Sequence, residues 1–261
     1  AAALGRRDLA LRDYDRALRL ANGDPRPYFD RAEAFFNLPD AEAQRQAETD
    51  LARLVRLQPQ LARPREMLAA LHERAGRFAE AEDELRILQQ TYTASDLYRL
   101  WQCRLLVKTR HFTEADRMLS LPLTDASRRG EWHRVKSALR EAEGHPGNAI
   151  AEILRAYARD ASVGDLFTLC RLLLSSGRAD LVRHLLDPLP PEAEAHAGLL
   201  MLLFRALDAG GHHEAALAAI ERAVAVPPRA DSGVSDAELV RALAEELPAA
   251  AVLRLNDTLR A

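Results

Sequence analysis

The sequence predicts an all-α protein built from stacked antiparallel helix pairs, and three observations carry that prediction. Its composition is that of helices: aromatics are only 5% of the chain, β-branched residues are sparse, and Ala, Leu, Arg and Glu dominate. Those four lose least on entering a helix. A small residue recurs as Ala10, Ala47, Ala81, Ala115, Ala149, Val182 and Ala216, at spacings of 37, 34, 34, 34, 33 and 34. Four residues after each comes a larger one: Tyr14, Leu51, Leu85, Leu119, Ile153, Leu186 and Ile220. Glycine recurs ahead of these markers as Gly5, Gly76, Gly144, Gly177 and Gly211, where a first helix must end and a second begin. Neither helix of such a pair can bury its apolar stripe alone, so the pairs must stack on one another.

The unit at 64–92 shows the pattern most fully. Met67, Leu68, Leu71 and Ala75 keep one apolar face, Gly76 ends the helix, and Phe78, Ala81, Leu85 and Leu88 recur at helical spacing in the second. Upstream, the chain opens part-way through a repeat, so the first unit supplies only its second helix, Arg7 to Ala21, and further sequence ahead of it is expected. The next runs from Tyr28 to Leu57. There Pro39 replaces the turn glycine and three residues are inserted, which predicts a second helix longer by about a turn with Asp40 as its cap. Units follow at 95–121, 127–160, 163–187 and 192–226. In two of them Leu121-Pro122 and the run Asp187 to Pro191 should cut the second helix short, and the stack is expected to bend or loosen there. After Pro227-Pro228 a polar linker leads to Ser235-Asp236-Ala237-Glu238, a capping box, and then to a terminal helix pair broken at Pro248.

A 34-residue period with these positions resembles the tetratricopeptide repeat over residues 1 to about 228. The resemblance implies a right-handed α-solenoid, with repeats over 1–228 and a linker and capping pair over 229–261. It implies a non-catalytic scaffold or adaptor whose first helices line a concave groove for a protein or peptide segment, with no cofactor. At the closest-approach position of those helices stand Ala32, Ala69, Cys103, Ser137, Cys170 and Phe204. One residue further round come Arg104, Arg171 and Arg205, with Arg134 four residues earlier in its own unit, interleaved with Phe29, Phe36, Leu100, Val107, Phe167 and Met201. Guanidinium forks above apolar pockets suit a peptide carrying carboxylates between aliphatic anchors. The alternative is that arginine is this chain's ordinary polar filler, since all but Lys108 and Lys136 of its 36 basic residues are arginine. Some family members hold the acidic tail of heat-shock chaperones with a lysine and asparagine clamp. The matching places here carry Phe29 and Glu33, Glu66 and Ala70, Leu100 and Arg104, Arg134 and Ala138, so that clamp is absent.

Other chemistries find little support. A net charge of −3 argues against nucleic acid or an anionic membrane as the main partner, and no apolar run approaches the roughly 20 residues of a membrane span. Cys103 and Cys170 sit two units apart, too distant to bond, and suit a reducing compartment such as the cytoplasm, with the periplasm as the alternative. No catalytic, dinucleotide or phosphate-loop motif is present. His212-His213 lie adjacent in a turn and point apart, so no metal site is expected there. His111, His145 and His212 all follow the turns of their units, and His72 faces the core. The acids from Glu80 to Glu84 flank Ala81 on an outer face, and Trp101 and Trp132 belong to the first-helix walls. Beyond the adaptor, the sequence leaves open the scaffold portion of a bacterial envelope or exopolysaccharide export machine, a regulatory arm of an enzyme, and self-association through the uncapped first helix.

Overall fold

The computed structural model describes residues 12–14, 16–20, 24–38, 40–186 and 197–225. Among them the regular structure is helical, and the chain divides into two compact units, Ala1–Arg128 and Arg129–Ala261. Unit 1 holds α1 (Arg26–Phe36), α2 (Ala41–Leu57), α3 (Ala62–Arg74), α4 (Phe78–Thr91), α5 (Asp96–Lys108) and α6 (Phe112–Leu119), closing with a 3-10 turn at Ala126–Arg128. Unit 2 holds α7 (Arg129–Ala142), α8 (Pro146–Asp160), α9 (Val163–Ser175), α10 (Ala179–Leu186), α11 (Ala197–Ala209) and α12 (His213–Ala225). Odd-numbered helices are first helices and even-numbered ones second. Within each unit a first helix packs on its own second helix, and that second helix packs on the next first helix.

The recurring small residues are where this packing is tightest. Ala47, Ala81, Ala115, Ala149 and Val182 are wholly inaccessible, as are the larger residues Leu51, Leu85 and Leu119 four positions on. The first-helix positions behave alike: Ala32, Ala69, Cys103 and Cys170 are fully buried, and Ser137 hides its hydroxyl by donating to the Ala149 carbonyl at 2.8 Å. Phe204 breaks the run of small residues and is only half-buried against its cluster. Upstream of α1, residues 12–14 and 16–20 are helical, and the Tyr14 ring meets Phe35 edge-on at 6.1 Å between centroids.

Turn chemistry explains where the helices stop. Gly76, Gly144, Gly177 and Gly211 take φ between +72° and +81°, left-handed values that a Cβ disfavours. In the α5–α6 turn, which has no glycine, Arg110 adopts φ +64° instead. Asp40 accepts from the Glu42 amide at 2.9 Å, and the helix it caps, α2, runs to 17 residues, as the insertion predicts. α6 stops after 8 residues, ahead of Pro122, which was expected to shorten it, and α10 is described over Ala179–Leu186, up to the last described residue before its prolines. The boundary between the two units falls nine residues beyond the end of α6. Gly5, Ala10, Pro39, the segment 187–191 and the linker and terminal pair of 229–261 lie outside the described residues.

Candidate functional site

The first helix α5 is wrapped on most of its circumference. Tyr98, Arg99, Leu100, Cys103, Leu105 and Leu106 are buried, Gln102 and Val107 are half-buried, and a separate narrow arc carries Leu97, Trp101, Arg104 and Lys108 at helical spacing. Glu73 of α3 reaches across to that arc. The indole Nε1 of Trp101 donates to Glu73 Oε2 at 2.7 Å, and Lys108 Nζ donates to Oε1 at 2.6 Å. Arg104 stands further off, with Nη2 at 3.6 Å from Oε2 and its guanidinium 5.9 Å from the Trp101 ring centre. Burial pushes the Glu73 carboxyl up, but the hydrogen bonds from Lys108 and Trp101 and the nearby charges outweigh it and hold the group below its ordinary value. Two cations therefore share one carboxylate, and the more distant, Arg104, is half-exposed.

The other predicted arginines are engaged differently. Arg134 grips Asp165 with both arms of its fork, Nε to Oδ1 at 2.7 Å and Nη2 to Oδ2 at 2.9 Å, and reaches Asp160 as well. Asp160 can come so close because it lies over Gly130, where a Cβ would collide with its carboxylate. Arg171 makes a two-armed bond to Glu141, with Nη2 to Oε2 at 2.7 Å. Both guanidiniums are thus neutralised by the protein itself, and Glu141 is held below its ordinary value chiefly by Arg171. Arg205 is exposed on α11. The four do not form a uniform row of available cations.

The apolar partners also separate. Phe29, Phe36 and Phe167 are half-buried against the hydrophobic clusters of their units. Phe36 lies under the Arg74 guanidinium, 4.1 Å above its ring centre, while Arg74 Nη2 donates to the Phe36 carbonyl at 2.8 Å. Phe29 lines an apolar hollow of about 450 Å³ with Leu54, Leu61, Pro25 and Pro64. Leu100 and Met201 correct the sequence reading. They are only 1% and 3% exposed and belong to the core, because a first helix packed on both flanks has an open arc too narrow for them.

Sequence reasoning missed Glu73, Glu141, Asp165 and Lys108. A signal existed: Arg134 and Asp165 are 31 residues apart, and Glu141 and Arg171 are 30 apart, one repeat less about a helical turn. Opposite charges at that separation bridge successive first helices. Elsewhere, His72 accepts from Arg77 Nε at 3.2 Å and is part of the packing, while His111, His145 and His212 are exposed after their turns. Burial pushes both Cys103 and Cys170 up to about 12. Of the acidic run, Glu80 and Asp83 face solvent, but Glu82 and Glu84 turn inward toward Thr109 and Arg65. Trp132 is covered by Lys136, whose Nζ lies 4.1 Å from the ring centre. Among the described residues no group of three or more His, Cys, Asp or Glu is placed to hold a metal ion, and no helix is long and apolar enough to cross a membrane.

A tetratricopeptide repeat protein from Parabacteroides merdae superposes on the chain with a TM-score of 0.64 at 12% identity, over 88% of each chain. The fold is that of the tetratricopeptide repeat. Two further structures of this kind are PilW, a type IV pilus biogenesis factor (TM-score 0.62, 16% identity, 76% of this chain and 91% of that one), and PilF of Pseudomonas aeruginosa (0.56, 14%, 74% and 90%). No protein-family model matches the sequence, and no curated protein is significantly similar to it. In unit 1 the Trp101–Glu73 bond joins first helices α5 and α3, and in unit 2 the Arg134–Asp165 and Arg171–Glu141 pairs join first helices α7 and α9.

Proposed function

We propose that the protein is a non-catalytic interaction scaffold, and that unit 1 holds an acidic protein or peptide segment against the arc of α5 facing α3. The observation that carries this reading is the imbalance at Glu73, where one carboxylate faces both Lys108 and Arg104 beside an indole ring. The surplus cation is fixed on a helix and backed by an aromatic face. A carboxylate arriving there completes the pairing of Arg104 and stacks its own stem on Trp101. Arg134 and Arg171, already satisfied internally, serve instead to lock α7 to α9.

The test is a double charge reversal, Arg104→Glu with Lys108→Glu, followed by a pull-down of bound protein and a salt titration of whatever is retained by the unaltered chain. The expected result is an affinity loss of about tenfold or more and a flatter salt dependence. Arg171→Glu serves as the contrast, since it should lower the melting temperature and leave binding in unit 1 alone. Binding that survives the double reversal unchanged overturns the assignment.

A further inference from the structure

An open cleft of about 660 Å³ in unit 1 is lined by Gln89 and Gln90 of α4, Arg99 and Gln102 of α5, Met118 of α6 and Leu121 just beyond it. It lies where other helix pairs make a polar clasp. In α3–α4, Arg65, four residues before Ala69, donates to Glu84, three after Ala81, at 2.8 Å. In α7–α8, His133, four before Ser137, meets Glu152, three after Ala149, at 2.6 Å. In α1–α2 the acid again follows its marker by three, with Asp50 accepting from Arg31 at 2.7 Å. The same register in α5–α6 places Arg99 opposite Met118. The base is there, but the acid at the second-helix position is not, and Arg99 pairs instead with Asp96 of its own helix.

Arg99 is only 8% exposed, yet Nη2 alone finds acceptors, Asp96 and the Pro122 carbonyl. Its Nε and Nη1 have none among the described residues, and the side chain borders the cleft. The space beside it is open because α6 stops after 8 residues against 14 for α4, and the chain beyond it is drawn aside to Asp96, which accepts from the Thr124 and Asp125 amides. Around the opening, the carboxamides of Gln89, Gln90 and Gln102 bond to no other described residue. A carboxamide sets a donor and an acceptor side by side, the complement of one peptide unit in an extended chain. At the rim Arg86 pairs with Asp83 at 2.8 Å and Arg117 stands 4.0 Å from Glu114, so the rim is balanced in charge and the open donors of Arg99 are what favour an acid.

We propose that this cleft is a second binding site, on the side of the second helices, for an extended peptide segment containing an aspartate or glutamate. The carboxylate takes the place of the missing clasp acid at Arg99. The flanking main chain bonds to the glutamines, and a neighbouring aliphatic side chain lies on Met118 and Leu121. Arg104 and Lys108 take no part, so the site stands or falls separately from the α5 arc.

A phage-displayed library of random dodecapeptides, selected on the unaltered chain and counter-selected on Met118→Glu, supplies the probe, and enriched sequences are measured as synthetic peptides by fluorescence anisotropy. Met118→Glu rebuilds the clasp within the molecule, so it should fold at least as stably and bind such a peptide about a hundredfold more weakly. Gln89→Ala with Gln102→Ala should weaken binding about tenfold without moving the melt, and so should replacing the peptide's acid by its amide. The proposal is overturned if no acidic sequence is enriched, if the glutamine variant binds as tightly as the unaltered chain, or if affinity is lost only in Arg104→Glu.

Discussion

Arg110 shows how much one backbone angle can matter. It is exposed and holds φ +64° at a turn where four other helix pairs use glycine, and a side chain in the left-handed region costs about 1 kcal/mol. Arg110→Gly is therefore expected to raise the melting temperature by a few degrees, and a drop would show that the arginine side chain has a structural duty. Leu85, fully buried between α4 and its neighbours, sits at the opposite extreme: Leu85→Ala should lose about 2–5 kcal/mol by leaving a cavity, measured by denaturant unfolding. Charge adds a third prediction. Glu73 and Asp96 are both held below their ordinary values in the folded state, although burial pushes each of them up, because hydrogen bonds to the ionised form outweigh it. The unfolded chain then binds protons more readily, so their contribution is fully present above the ordinary carboxylate range near pH 4 and is lost as pH falls through the lowered folded values. Melting temperatures should hold from neutral pH to about pH 5 and fall below about pH 4, and Glu73→Gln should remove part of that slope.

At the scale of an element, α6 is the instructive case. Pro122 made its early end legible in the sequence, since proline cannot continue a helix, and the 8-residue helix agrees. What the chain does next was not legible. Asp96, 28 residues before Thr124, gathers the Thr124 amide and hydroxyl and the Asp125 amide, and also neutralises Arg99. No period announces that bond, because it occurs in a single unit. Asp96→Ala strands a buried arginine and should cost about 3–5 kcal/mol, with faster amide exchange at Thr124 and Asp125 ahead of the rest of unit 1. The arginine row failed for the complementary reason. Sequence position put Arg104 and Arg171 at corresponding places, with Arg134 four residues earlier in its own unit, but the availability of such arginines depends on acids about one repeat away, and Glu141 and Asp165 had already claimed two of them.

Among the described residues, the 34-residue stride was enough to read the order of the helices, their partners and the buried markers from Ala47 to Ala216, because each pair contacts chiefly its neighbours and local spacing decides the core. The division at Arg128/Arg129 was not read, since the markers Ala115 and Ala149 keep the same spacing across it. Each unit carries its own hydrophobic clusters, so a chain cut at that boundary should yield two helical fragments, each with a cooperative thermal transition by circular dichroism. A fragment without a transition would show that its clusters are insufficient alone. The chain's two cysteines are both inaccessible, and burial pushes their thiols up to about 12, so the native protein is expected to be silent toward maleimides and other thiol-seeking dyes. A cysteine introduced at Leu121 or Arg104 would be the sole reactive handle, and a fluorophore there would report arrival of a guest at one site without any background to subtract.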